Sequence, residues 1–286
     1  MYITLTNFLL SNSPKWQKAV GASPIVVGVG GVGCGKTTAS KVGLALTGGW
    51  PQLFFSLFTD KVIGRVATCT TLGCIADDPT KPKDLGDAAK RFYDAGKAVS
   101  CAGNWTPQCC PMFTVNNHVI EWLLKPERDR LLIIPVPPRS KIMNKVANAE
   151  NWSQNFYKIL DEVSSMIGNV IKIGQWINAP EGLAFRRECS TIITDTCGAS
   201  TEGSRMTKML SCGLLVARKM AQLTSAVTDE EIVGHFQTVI APYCMTRQMQ
   251  LNEIALIQQP STSKDLAKTT LETSLLDLVQ GLDSKC

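Results

Sequence analysis

Eight consecutive residues, Gly30-Gly31-Val32-Gly33-Cys34-Gly35-Lys36-Thr37, constrain this chain more than any other stretch. They fit the pattern G-x-x-x-x-G-K-[ST] and follow directly on the apolar run Ile25-Val26-Val27. Glycines let the backbone curl until successive N–H groups converge on an anion, and a helix starting near Lys36 adds its positive N-terminal end. In such a loop Lys36 neutralises the β- and γ-phosphates of a nucleotide, the Thr37 hydroxyl holds Mg²⁺, and Thr38 is counted with the nucleotide-binding residues. Val42, Leu44, Ala45 and Leu46 give the helix an apolar side, and Gly48-Gly49 stops it. Cys34 is read either as a small loop filler or as a redox-sensitive thiol. Strand, loop and helix in this order predict an α/β fold: a P-loop NTPase with a mainly parallel sheet flanked by helices.

A chain of 286 residues, 44% hydrophobic and 19% charged, can bury a substantial core as one large domain or one domain with a helical appendage. The net charge of +5 permits contact with nucleic acid without arguing for it. Eleven cysteines include no C-x-x-C pair, and the two histidines, His118 and His235, lie far apart, so zinc-site spacing is absent. Reduced thiols in the cytoplasm or nucleus are the expectation. The apolar residues from Thr4 to Leu10 lack a basic flank and are too few to span a bilayer. The acceptor patterns at Asn104 and Asn151 therefore carry no weight. The short stretch before the loop leaves little room for an upstream module and fits a fragment or short isoform.

Short apolar runs alternate with helical text in the first half, which predicts strands over 24–29, 53–58, 71–76, 111–115 and 131–136. Pro137-Pro138 ends the last one, since proline cannot donate to a sheet ladder. This divides the chain into an ATPase core over 1–140 and a mainly helical region over 141–286. In the latter, Trp152, Phe156, Ile159, Leu160, Val163 and Ile167 recur at helical spacing. The β-branched run 190–195 predicts a lone strand or extended connector. Helices are expected over 203–226 and 228–257, the second opened by a capping box at Thr228-Asp229-Glu230-Glu231. A final amphipathic helix is expected over 263–282.

Hydrolysis at a phosphate loop also needs an acid to order Mg²⁺, a carboxylate to orient water and a polar sensor for the γ-phosphate, each at the end of a neighbouring strand. Two strand ends offer acids: Asp77-Asp78 and Asp195. Periodicity alone favours Asp195. The order of the downstream elements favours Asp77-Asp78, because the next strand, Pro111 to Val115, ends in Asn116-Asn117. An amide there can bond both the attacking water and the phosphate, although a turn uses the same residues.

Taken in order, the loop GGVGCGKT, the pair Asp77-Asp78, a basic helix and hairpin with Lys90, Lys97 and Trp105, the strand-end Asn116, and an arginine before the strand at Leu131 resemble helicase superfamily 3, within the AAA+ class of P-loop ATPases. Related domains occur in primase fusions and mobile elements. The resemblance covers roughly residues 20–138 and rests on order and spacing. It implies that Asp77 orders magnesium, that Asp78 polarises the attacking water, and that Asn116 is the sensor. Arg130 or Arg128 would reach the γ-phosphate of a neighbouring subunit in a homo-oligomer. The resemblance also implies that Lys90, Lys97 and Trp105 contact a single strand of nucleic acid. The family usually carries glutamate where Asp78 stands; aspartate is one methylene shorter, and in-line attack is sensitive to such displacement.

The expected function is therefore ATP- and Mg²⁺-dependent: a helicase or translocase on nucleic acid. The alternative is a nucleotide-gated binding or scaffold protein derived from a mobile element, with weak or no hydrolysis. A small-molecule kinase ranks last, because no arginine-rich lid is evident. A superfamily 1 movement-type helicase would require Asp195 as the acid.

Overall fold

The computed structural model describes residues 25–56, 59–70, 72–79, 81–93, 98–100, 103–105, 107, 109–136, 149–165, 167–177, 179–199, 204–224 and 227–258. Five parallel strands form the central sheet: β1 (Ile25–Val29), β2 (Phe54–Phe55), β3 (Ile75–Asp77), β6 (Met112–Val115) and β7 (Leu131–Pro135), in the order β2-β3-β6-β1-β7. Between β3 and β6 lies an antiparallel hairpin of β4 (Ala98–Ser100) and β5 (Gly103–Trp105). Strands covered on both faces read as unbroken apolar runs, and every residue of β1 and β6 is buried. The pairings Val29↔Val115 and Asp77↔Thr114 bring three strand ends level.

Helices α1 (Lys36–Leu46), α2 (Asp60–Cys69) and α3 (Pro82–Tyr93) belong to the crossovers, as do the short α4 (Asn117–Glu121) and α5 (Lys125–Arg128). The chain leaving β1 runs through α1 to β2 at one edge of the sheet. The chain leaving its neighbour β6 runs through α4 and α5 to β7 at the other. The two connections leave neighbouring strands in opposite directions, and the carboxyl ends of such strands are the usual place for a ligand in an open parallel sheet.

The second half is helical: α6 (Ala149–Ser164), α7 (Ile167–Ile177), α8 (Pro180–Cys197), α9 (Arg205–Thr224), α10 (Asp229–His235) and α11 (Ala241–Gln258). Helices α9 and α11 pack on β7, so one apolar core runs from Val27, Phe113 and Ile133 in the sheet to Ile193, Leu210 and Leu214 beyond it. Helix α6 packs on α1. The Lys41 ammonium lies 5.5, 5.3 and 5.2 Å from the ring centres of Trp50, Phe54 and Tyr157 and donates to the Tyr157 hydroxyl at 3.1 Å.

Two sequence expectations are corrected here. Residues 190–195 form part of α8 instead of a strand; Pro180 starts this helix, where a missing N–H costs nothing, and Ile193 is buried one turn after buried Cys189. The helical text from Trp152 to Ile167 forms α6 and the start of α7. The stretch 228–257 is interrupted by a π-helical segment, Phe236–Ile240, although the expected capping box is formed, with reciprocal bonds of 2.8 and 3.2 Å between Thr228 and Glu231. The expected tail helix over 263–282 and the apolar run from Thr4 to Leu10 lie outside the described residues. Among those described, no helix is long and apolar enough to cross a membrane.

Arg218, buried in the core of the helical region, ties it together. Its guanidinium donates to both carboxylate oxygens of Asp229, at 2.8 Å to Oδ1 through Nε, and to Glu188 at 2.8 Å, and it lies 4.2 Å from the Phe185 ring centre. The bond from Asp229 raises its pKa above the ordinary arginine value. Removing one partner leaves a buried charge short of acceptors. Asp229→Ala is therefore expected to lower the unfolding free energy by about 2 kcal/mol in chemical denaturation, less than for a fully buried pair because Glu188 remains.

Candidate functional site

The glycine-rich loop, residues 30–35, leaves β1 at its carboxyl end and turns directly into α1. Gly33 and Gly35 have φ of 74° and 97°, a left-handed backbone that side-chain-bearing residues rarely adopt. At the loop's apex Val32 is 95% exposed. Lys36 folds back under the loop, and its ammonium donates to the carbonyls of Gly30 and Gly31, both at 2.8 Å, and to Asn116 Oδ1 at 3.4 Å. Cys34 is buried against this lysine, its Sγ 3.8 Å from Nζ. Thr38, the next residue of α1, is half-buried.

The ends of β3 and β6 bring the other polar groups to the same place. The Thr37 hydroxyl donates to Asp77 Oδ1 at 3.0 Å. Asp78 follows with φ of 53°, the one positive value among described residues other than glycine. Its N–H donates to the Thr114 carbonyl at 2.8 Å, and its carboxylate accepts from Asn116 Nδ2 at 3.0 Å. A chain of polar contacts thus runs from Lys36 through Asn116 to Asp78, beside a second from Thr37 to Asp77. Of the residues named from the sequence, Lys36, Thr37, Asp77, Asp78 and Asn116 are brought together.

Thr114 was not singled out by sequence reasoning. Its hydroxyl donates to the same Asp77 oxygen that Thr37 uses, and it lies 3.2 Å from the Asp78 N–H. A polar residue inside an apolar strand was the available signal, but the strand register is what gives it meaning.

The remaining candidates lie elsewhere. Arg128 and Arg130 precede β7, whose first residue pairs with Ile25, so they sit at the amino end of the sheet, about 13 Å along the strands from the loop. Arg128 is fully buried, its guanidinium nitrogens have no hydrogen-bond partner among the described residues, and burial lowers its pKa. It cannot project to a neighbouring chain. Arg130 is partly exposed and donates to the Pro126 carbonyl at 2.6 Å. The Lys90 ammonium is paired with Glu127 at 2.7 Å. Trp105 lies in β5, while Lys97 is outside the described residues. Asp195 is exposed on α8 and ends no strand, which removes the structural basis for its selection.

No protein-family profile matches the chain. No curated protein matches it in sequence. Among solved structures it is similar in fold to one described as "SCCmec type IV Cch - active helicase", with a TM-score of 0.54 and 13% identity over 89% of this chain. The matched part is 49% of that protein, so this chain spans about half its length. The likeness shows a helicase-like fold.

The left-handed backbone at Asp78 makes a prediction independent of function. A β-branched side chain is strained there and glycine is not, so Asp78→Val should be about 2 kcal/mol less stable than Asp78→Gly in urea unfolding. The opposite order would show that Asp78 does not hold this conformation.

Proposed function

We propose that this chain is a P-loop NTPase that binds ATP with Mg²⁺, built as a superfamily 3-like, AAA+-type helicase or translocase acting on nucleic acid. The observation that carries the reading is the convergence of Lys36, Thr37, Asp77, Asp78 and Asn116 at the carboxyl ends of β1, β3 and β6. The donor set fits Mg-ATP. Magnesium commonly keeps several waters and takes few protein oxygens together with phosphates; Thr37 offers one oxygen to the metal and Asp77 an acceptor for its water. Because the Thr37 hydroxyl gives its proton to Asp77, its lone pairs are left for a cation.

When bound, Mg²⁺ would supply charge neutralisation at the phosphate oxygens. Lys36 would exchange its two loop carbonyls for the β- and γ-phosphates. Asp77 would hold water in the metal's shell, Asp78 would orient the attacking water, and Asn116 would bridge that water and the γ-phosphate. The backbone of residues 30–35 would cradle the phosphates. Arg130 lies at the opposite end of the sheet from its own loop, so a phosphate contact for it would come from a second copy in a ring. The hairpin of β4 and β5, with Trp105 in β5 and Lys97 next to β4 in sequence, is the proposed contact for a single strand. Lys90 is a weaker candidate because Glu127 already holds its charge.

A second reading, nucleotide-gated binding with slow turnover, is favoured by Asp78 itself. Its short carboxylate is tied to the Asn116 amide. Equilibrium binding and phosphate release, each with and without single-stranded nucleic acid, separate the readings. The helicase reading expects stimulated turnover, with Lys36→Ala losing at least about 10-fold in nucleotide affinity. Tight binding with negligible release, raised by Asp78→Glu, supports the second reading. Unchanged binding in Lys36→Ala overturns both.

A further inference from the structure

We propose that Thr114 is the positioning residue of this site: its hydroxyl fixes the rotamer of Asp77 and so sets how strongly the nucleotide depends on Mg²⁺. The inference rests on the nucleotide-binding reading above and goes beyond it by naming a residue outside the phosphate loop and the strand-end acids.

Thr114 lies on β6 directly opposite Asp77 of β3 and is completely buried. The parallel register places the two side chains on the same face of the sheet. A buried hydroxyl needs partners, and Thr114 finds them on both acids. It donates to Asp77 Oδ1, and it faces the N–H of Asp78 at 3.2 Å. Its own carbonyl accepts from that same N–H at 2.8 Å. One residue therefore anchors the carboxylate of the first acid and the backbone of the second.

The arrangement has a chemical consequence for Asp77. Two hydroxyls, Thr37 from α1 and Thr114 from β6, converge on one carboxylate oxygen from different sides. A single donor would leave the carboxylate free to rotate about its Cβ–Cγ bond; two donors on Oδ1 hold its plane and present Oδ2 as the oxygen left for a metal-bound water. Groups that orient a metal-binding residue typically contribute 10–100-fold to metal affinity. Without Thr114, Asp77 loses one of these two hydroxyl anchors, and of the pair only Thr37, which would also face the cation, still holds it.

The test compares Thr114→Val, which keeps the shape and removes the hydroxyl, with Thr114→Ser, which keeps the hydroxyl and removes a methyl. A fluorescent ATP analogue is titrated onto the full chain at several Mg²⁺ concentrations and in EDTA, with thermal unfolding measured alongside. Thr114→Val is expected to raise the Mg²⁺ concentration for half-maximal binding about 10-fold while leaving affinity in EDTA unchanged, and Thr114→Ser to restore the wild-type value. An unchanged Mg²⁺ requirement in a folded Thr114→Val protein overturns the assignment. So does equal impairment of both variants, which would mark a packing role. If the wild-type chain itself shows no Mg²⁺-dependent binding, the nucleotide reading falls and this assignment falls with it. If it does and Lys36→Ala abolishes it, a negative result at Thr114 concerns Thr114 alone.

Discussion

The parallel pairing of β6 between β1 and β3 is the constraint on which the rest of the site depends. Val29 opposite Val115 and Asp77 opposite Thr114 bring the loop, the acids and Asn116 to one level of the sheet. A one-residue slip of β6 against β3 would turn Thr114 to the other face and separate Asn116 from Asp78. The complete burial of β1 and β6 resists such a slip, since helices cover both faces. The packing energy of the core thus also maintains the alignment of polar groups at its rim.

Much of this was legible in the sequence, for identifiable reasons. Strands β1, β6 and β7 are short apolar runs closed by glycine, asparagine or proline, and each lies close to the expected place. Of the expected strand over 53–58, Phe54–Phe55 pair with β3 at the sheet's edge, while residues 57 and 58 lie outside the described residues. Residues 190–195 misled because β-branched residues prefer strands, a preference of less than about 1 kcal/mol each that burial readily overrides. In α8 the hydroxyls of Thr191 and Thr196 donate back to the carbonyls of Arg187 and Ile192, which gives them partners inside the helix. Thr114 was hidden for another reason: its role depends on a cross-strand partner that no local pattern encodes.

The two arginines before β7 show how position and burial separate residues alike in sequence. Arg128 and Arg130 are two residues apart in a charged run, yet one is wholly inside the protein and the other partly outside. Glu127 accepts from the Leu124 N–H at 3.0 Å and from Lys90, and the turn it anchors directs Arg128 inward. The buried guanidinium keeps its neighbours' acidic charge as long-range compensation, which opposes the lowering of its pKa by burial. Only Arg130 retains the exposure that a contact with another molecule requires.

The Lys36 ammonium and the Asn116 amide are both engaged within the protein, and this shapes what the site can select. In the proposed nucleotide reading an incoming phosphate would replace the carbonyls of Gly30 and Gly31 around Lys36, which are neutral acceptors of a charged donor. Opposite charge on both partners strengthens such a bond, so the exchange would favour an anion, and more so one that supplies two oxygens to the same ammonium. The Asn116 amide gives one N–H to Asp78, and its second N–H would be the one to meet a terminal phosphate in that reading. A single phosphate would then satisfy the loop without reaching Asn116, whereas a triphosphate would be long enough to do both. The internal bonds would thus act as a threshold that disfavours short anions.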